Sequence, residues 1–586
     1  MVLVTMSWTR WPCVCVNFLT SNEMRQHILS TVLMAAVSAL AYGQNLNPTV
    51  EVTNAYEGGA SSIVKPAQIL AVPDSVMQFN LDFDYSVFEK PYQGAYEFKP
   101  YYVQLKPNPR PSTQEQFYLR LGAGYTLHPE LELVWAPLRK EKYQLDVYAT
   151  HRSYFGNYHQ FDTKQENDIH MLVPSGEKMS GYLADTKAGV DGTYAWDGGV
   201  ATLDLGYRNR MANDAYHYQK MGGLEAAGRV RSFPTDEPHF LYDAALNYHF
   251  FGSDFSHESL GIVSSNFTES LFTLDGTFGP VLGEGRRIVA DVDLNLARYR
   301  RDVTGYTGLL SLTPKYEFSL DRWGFSLGAR LSYLIYSEDY NLWPEQYSHS
   351  SAIVYPDVHV DFHLLDDRLI LQASATGGDR FNTASGRFFS SPFSGVNEFG
   401  HSREWVRAML GARGNIASRF RYDLQGGYAR WNFAPMEGFA FDNNSHYQTA
   451  LYETDYNLVF AELDYGWKSE HVTVDGKMAY RWTNISAESV FAPAAFVGWI
   501  RPAWHWGDRF TAGLDAAWST RRRTSYGTMA IAVPGWLDLG LFAECRFTRH
   551  FGFWAKGGNL LGQAIQRTPV HAEAGMYFTA GILLNF

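Results

Sequence analysis

The sequence predicts an all-β fold: a transmembrane, antiparallel, up-and-down β-barrel of about 22 strands, preceded by a short extended N-terminal segment. Three observations carry this. Apolar and polar residues alternate with period two along many segments, which puts them on opposite faces of a sheet. The connections between those segments alternate between short and long, as they do when tight turns face one side of a membrane and loops the other. Aromatic residues make up 16% of the chain without an internal apolar run of membrane-helix length, and a barrel needs none because only every second residue meets lipid.

The first residues read as targeting sequence. Residues 1–23 are a leader. From Met24, Arg25 supplies positive charge, residues 28–40 form a short apolar core, and Ala41 and Gly43 place small residues before Gln44. This is a secretory signal with cleavage after Gly43, so that 1–43 is removed. Cys13 and Cys15 leave with it, and Cys545 is the one cysteine of the mature chain. An exported protein without a disulfide pair draws its stability from a large hydrogen-bonded framework. Residues 44–115 are punctuated by Pro48, Pro66, Pro73, Pro91, Pro100 and Pro107. They read as a periplasmic or lumenal segment ending in a linker.

Residues 116–586 are the barrel. Phe117, Leu119, Leu121 and Tyr125 share one face, and Tyr118, Arg120, Gly122 and Gly124 the other. Leu145 and Val147 alternate with Asp146, and Leu203, Leu205 and Tyr207 with Asp204 and Arg208. Val292 and Leu294 alternate with Asp291 and Asp293, Val474 and Tyr480 with Asp475, Lys477 and Arg481, and Leu514 and Trp518 with Asp515 and Arg521. Charges in mid-strand suit a wet lumen and lipid-facing apolar residues a membrane exterior. The expected lumen-facing set is therefore Arg120, Asp146, Asp204, Arg208, Asp291, Asp293, Asp475, Lys477, Arg481, Asp515 and Arg521, joined by Asp538, Glu544 and Arg546. Its mixed sign suits a packed polar interior or a sugar- or peptide-binding lumen better than a pore selective for one sign. Short connections fall at 196–199, 283–286, 320–323, 417–419, 469–471 and 507–509; long polar ones fall at 155–178, 253–266, 338–350, 380–401, 432–456 and 522–535. The chain ends on a strand in which the spacing of Thr579, Gly581, Leu584 and Phe586 resembles the barrel-closing signal of outer-membrane barrels, which implies recognition by the barrel assembly machinery during insertion. That strand is expected to pair with the first one and so remove the sheet's edges.

The chemistry points away from an enzyme. A hydrolase needs a serine and histidine in reach of each other, and His151, His170, His217, His257, His349, His401 and His446 are scattered through turns and loops. No catalytic residue, metal site or cofactor is expected. His359 and His363 share a strand face but stand about 13 Å apart. Asp442, Glu453 and Asp455 read as a solvated acidic loop. Trp343, Tyr347, Tyr340, Trp431 and Phe433 are placed either to stack on a ligand or to sit in the interfacial girdle. The net charge of −12 excludes a general nucleic-acid binder.

The stretch 553–586 resembles the end of TonB-dependent receptors: a penultimate strand running into Asn559-Leu560-Leu561, a loop, and a glycine-led strand closing on Phe586. Near the mature N-terminus, Thr49, Val50, Glu51, Val52 and Thr53 resemble a TonB box, the segment such receptors offer to TonB by β-strand addition. The resemblance implies a Gram-negative outer-membrane barrel that admits or imports a solute, with TonB as partner. It departs from the family in its plug, since 44–115 is shorter than a folded plug domain. The lumen is then filled by the N-terminal segment, by folded-in loops or by a partner subunit. The alternative is a non-transporting barrel scaffold that docks a lipoprotein or an outer-membrane assembly partner.

Overall fold

The computed structural model describes residues 116–586, apart from 141, 214–216, 234–237, 258–264, 284, 338–351, 366–367, 391–400, 418, 442–446, 486, 508 and 574. The signal segment, the segment 44–115 and the TonB-box-like residues Thr49–Thr53 lie outside the described residues.

The described chain is almost entirely strand. In order, the first twelve strands are β1 (Phe117–Tyr125), β2 (Glu130–Arg139), β3 (Tyr143–Glu166), β4 (Ile169–Trp196), β5 (Gly199–Asn213), β6 (His217–Ser232), β7 (His239–His257), β8 (Ser265–Gly283), β9 (Arg286–Arg301), β10 (Gly305–Leu320), β11 (Trp323–Tyr336) and β12 (Ala352–His363). The second twelve are β13 (Ile370–Arg380), β14 (Ser402–Ile416), β15 (Phe420–Phe441), β16 (Tyr447–Lys468), β17 (Val472–Thr483), β18 (Phe496–Trp506), β19 (Phe510–Ser519), β20 (Arg522–Tyr526), β21 (Met529–Val533), β22 (Trp536–Arg546), β23 (Phe551–Gly558) and β24 (Tyr577–Asn585). Each wall strand pairs antiparallel with its neighbours, and β19 pairs directly with β22, from Phe510↔Cys545 to Ser519↔Trp536. The hairpin β20–β21 therefore stands off the wall, and the wall is a closed barrel of 22 strands. The expected strand count and fold class hold.

Closure is made by the two terminal strands. β1 pairs with β24 from Tyr118↔Asn585 to Tyr125↔Phe578. The Gln116 and Phe117 amides both donate to the Phe586 carbonyl, and the Phe586 amide returns a bond to the Phe117 carbonyl at 2.8 Å. Two glycines allow this seam. A Cβ on Gly581 would lie 1.9 Å from the Leu121 carbonyl oxygen, and one on Gly124 would lie 1.6 Å from that of Phe578. Trp554 of β23 is buried with Tyr118 and Leu583 beside the seam, and Arg120 lies over its ring at 3.9 Å. An aromatic laid over strand glycines restores packing that the missing side chains leave open.

Large apolar residues such as Leu203, Leu205, Leu224, Leu246, Leu310 and Leu410 stand exposed on one face of the wall. On the outside of a closed barrel that is the surface lipid covers. Closure also pairs every wall strand on both sides, which is how a sheet meets the demand for internal hydrogen bonds in a bilayer. No helix among the described residues is long and apolar enough to cross a membrane, and strands do not need one.

Several expected loops are strands instead. Residues 155–178 continue the β3–β4 ladder, which turns at Asn167, a residue with φ 56°. Most of 432–456 continues β15 and β16, whose register runs to Phe441↔Tyr447. About ten residues suffice to cross a membrane, so β3, with 24 residues, runs well beyond it. Beyond the crossing length no face has to meet lipid, so alternation disappears from the sequence while the backbone ladder continues. The stretch 522–535, expected as a polar loop, contains β20 and β21. Arg521, expected on a lumen-facing strand, lies between β19 and β20 and is exposed.

Candidate functional site

The connection from β13 to β14 carries a short helix, α1 (Ala384–Ser390). Thr383 starts it: its side-chain oxygen accepts the Gly386 amide at 3.0 Å, as an N-cap does. Seven residues cannot hold a helix in water, so tertiary contacts must. Ala384 and Phe388 are fully buried among Met221 of β6, Phe251 of β7, Phe267 of β8, and Ala297 and Tyr299 of β9. Phe389 lies under the Arg208 guanidinium of β5 at 3.8 Å, and Arg210 donates to its carbonyl. Arg210 also donates Nε to Asp185 at 2.8 Å. Strands β5 to β9 are four to eight positions from β13 around the wall. A segment reaching them must cross the barrel opening, so the face it packs on is the inner one.

A buried carboxylate anchors α1. Glu269 is fully buried. It accepts from Tyr299 Oη at 2.9 Å and from the Ser385 amide at 3.2 Å, and it is 2.8 Å from His249 Nε2. His249 stacks on Phe251 with centroids 4.3 Å apart. At the far end of the connection, His401 is buried against Phe381, stacked at 4.6 Å. Its Nδ1 faces the Asn382 amide at 3.4 Å and its Nε2 faces Thr307 Oγ1 of β10 at 2.7 Å.

A second assembly spans the rest of the mouth. β21 runs parallel to the start of β4, with Ala530↔Ile169 and Ala532↔Met171. Leu172, Phe491, Ile531 and Val533 form a buried cluster with Val570 against it. Gln566 donates to the Leu172 carbonyl at 3.1 Å. Arg522 donates to Glu437 of β15 at 2.7 Å and to the Ala492 carbonyl at 3.3 Å. The Phe491 amide binds the Glu437 carbonyl at 2.9 Å. β4 and β15 are eleven steps apart around the 22-stranded wall, so this assembly joins opposite sides of the mouth. Arg522→Ala should free it at the β15 side, removing the charged hydrogen bond to the half-buried Glu437 at a cost of about 1–3 kcal/mol. Limited proteolysis should then cut within 520–535 at least tenfold faster, with the wall intact.

The charges singled out in the sequence form separate pairs, not one centre. By register, Arg120, Asp146, Asp204, Arg208, Asp291, Asp293, Asp475, Lys477, Arg481 and Asp515 share one face of the wall, the face on which α1 packs. Asp291 pairs with Lys315 at 2.6 Å and Asp293 with Arg330 at 3.4 Å. Lys477 bridges Glu462 at 3.0 Å and Asp464 at 3.3 Å, and Glu462 also meets Arg481 at 3.4 Å. Asp515 pairs with Arg501, Asp475 lies 3.6 Å from Arg421, and Asp204 accepts from Tyr148 Oη at 2.7 Å. Of the aromatics, Trp431 is buried beneath the Arg380 guanidinium at 4.6 Å; Tyr340, Trp343 and Tyr347 lie outside the described residues, as does Asp442. Asp455 accepts the Phe433 amide at 2.8 Å and so closes a bulge in β15. Among the described residues no group of three or more His, Cys, Asp or Glu is arranged to hold a metal ion. Sequence reasoning missed Glu269, Tyr299, His249 and α1. The adjacent Phe388 and Phe389, apolar within a connection expected to be polar, are the local signal of a buried segment at α1; Glu269, Tyr299 and His249 carry none.

No protein-family model matches the chain, and no curated protein matches it in sequence. Solved structures match its fold. The FrpB iron transporter from Neisseria meningitidis superposes with a TM-score of 0.61 at 8% identity, over 80% of this chain and 81% of that one. The copper transporter OprC gives a TM-score of 0.56 at 14% identity, over 80% and 82% of the two chains. A mutant of the ferric enterobactin receptor PfeA from Pseudomonas aeruginosa gives 0.56 at 10% identity, over 80% of each. The fold is that of the TonB-dependent receptor barrels. At these identities the likeness to receptor barrels is one of architecture. The mouth is built by this chain's own residues, above all those that hold α1 and the β20–β21 assembly across it.

Proposed function

We propose that the chain is an outer-membrane transport protein of the TonB-dependent type, importing a solute through a lumen whose outer mouth its own loops close. The observation that carries this is the pairing of a 22-stranded wall with two loop assemblies docked across its opening. A barrel of that size is wide enough for a channel. Loops held by buried apolar side chains and a buried carboxylate instead make entry an event that must be driven. Structural neighbours that are named as iron, copper and ferric enterobactin proteins support a transport role. The inner-face ion pairs, mixed in sign, suit a polar solute over a simple ion. The drive would come from TonB, adding a strand to Thr49–Thr53. Deleting Val50–Thr53 should abolish energised accumulation of the protein's solute in cells while leaving the barrel in the outer membrane. Unchanged accumulation would refute the proposal.

A further inference from the structure

The polar anchor at the end of the α1 connection has a property that the transport reading does not use. His401 is the residue immediately before β14, and it is buried, 2% exposed. The Asn382 amide can only donate, so Nδ1 of His401 must be the acceptor at 3.4 Å. Nε2 then carries the proton and donates to Thr307 Oγ1 at 2.7 Å. Both ring nitrogens are thus committed in the neutral tautomer. A second proton would have to sit on Nδ1, where it would point at another donor. The ring's flat face is covered by Phe381, which offers no charge to offset a cation.

The charged groups around it also oppose protonation. Arg387 of α1 bears on the ring as a like charge. The carboxylate of Glu404, on β14, is held by Arg380 of β13 at 3.4 Å and by Arg407 at 2.7 Å. Thr307 on β10 is neutral. Burial, with Arg387 adding to it, pushes the His401 imidazole down from the usual 6.5 to about 3.

We propose that His401 is an acid-sensitive latch: neutral, it ties the segment Phe381–Ser390 to β10 and so holds α1 across the mouth; protonated, it lets the segment go. The inference concerns how the mouth opens, and it holds whatever passes through. The sign follows from linkage. The docked state excludes the proton and the released state takes it near pH 6.5, so docking is at full strength above about pH 6.5. It weakens about tenfold per pH unit as pH falls toward 3. The loss should begin at the His401 end.

The test is hydrogen exchange of the full-length chain in detergent, comparing amides of 381–390 with wall amides of β7 and β8 in the same sample, corrected for intrinsic rates. Between pH 7.5 and pH 5 the segment should lose about thirtyfold in protection while the wall is unchanged. His401→Gln, which keeps an acceptor and a donor but cannot gain charge, should remove the pH dependence. Arg387→Met removes the opposing cation, lets the docked ring take its proton more easily, and so should shrink the total loss between pH 7.5 and pH 3.5 without moving its onset. Protection of 381–390 that stays constant from pH 7.5 to 4.5 would overturn the proposal. So would a His401→Gln chain that keeps the wild-type pH dependence. If His401→Gln is unprotected at every pH, Arg387→Met decides alone: a smaller loss than wild type between pH 7.5 and pH 3.5 supports the latch and an equal loss overturns it.

Discussion

Gly581→Val should abolish the closed barrel. Gly581 sits in β24 opposite Gly122 of β1. A Cβ there would lie 1.9 Å from the Leu121 carbonyl oxygen and 2.6 Å from the Gly122 Cα. These are backbone atoms of the partner strand, with no flexible end that could swing aside. Overpacking an ordinary core costs about 1–3 kcal/mol. Here the displaced group is the strand that closes the sheet, and moving it breaks the register from Tyr118 to Tyr125. Both β1 and β24 would then present unpaired edges, which no bilayer can satisfy. Heat-modifiable electrophoresis of outer-membrane fractions should show the folded band reduced more than tenfold. Gly575→Ala, where a Cβ meets nothing within 4 Å, should fold as wild type. Normal folded yield for Gly581→Val would mean that the seam is not where the structure has it.

Phe388→Ala and Glu269→Ala should each release α1 without harming the wall. Phe388 is fully buried among side chains from four strands, and truncating such a phenylalanine costs about 3–5 kcal/mol. Removing the Glu269 carboxylate takes from the Ser385 amide and the Tyr299 hydroxyl the acceptor they share, at about 1–3 kcal/mol. α1 is too short to persist undocked, so release unfolds it. Arg387 is 8% exposed in the docked state, and trypsin should reach it only after release. A loss of about 3 kcal/mol raises the open population, and with it the cleavage rate, about a hundredfold. Fragments ending at Arg387 should therefore accumulate from both variants, while the barrel keeps its heat-modifiable mobility. Cleavage at the wild-type rate would show that α1 is held by something other than this cluster.

Much of the fold was legible because the barrel's physics repeats along the chain. Leu203, Leu205 and Tyr207 against Asp204 and Arg208 reveal a two-faced strand without any partner in view. The strand count followed from turns such as Asp321-Arg322, which end one wall strand and begin the next. What was illegible obeys a different rule. Residues 155–178 and most of 432–456 run beyond the crossing length, where no face has to meet lipid, so hydrophobic alternation vanishes although the ladder continues. The mouth was harder still. Glu269 and Ser385 are 116 residues apart, and nothing local announces that a buried carboxylate on β8 binds an amide from the β13–β14 connection. The mid-strand charges could be placed on a common face by parity, but their partners, Lys315, Arg330, Glu462 and Arg501, depend on register between strands. Register is a tertiary quantity, and a one-residue slip would have exchanged the faces.

The most direct test of the transport account is a titration of the purified full-length chain with the periplasmic C-terminal portion of TonB, followed by calorimetry or fluorescence anisotropy. The account predicts saturable one-to-one binding that weakens at least tenfold when Val50–Thr53 is deleted. Equal binding by the intact and deleted chains, or no binding by the intact chain, would contradict it.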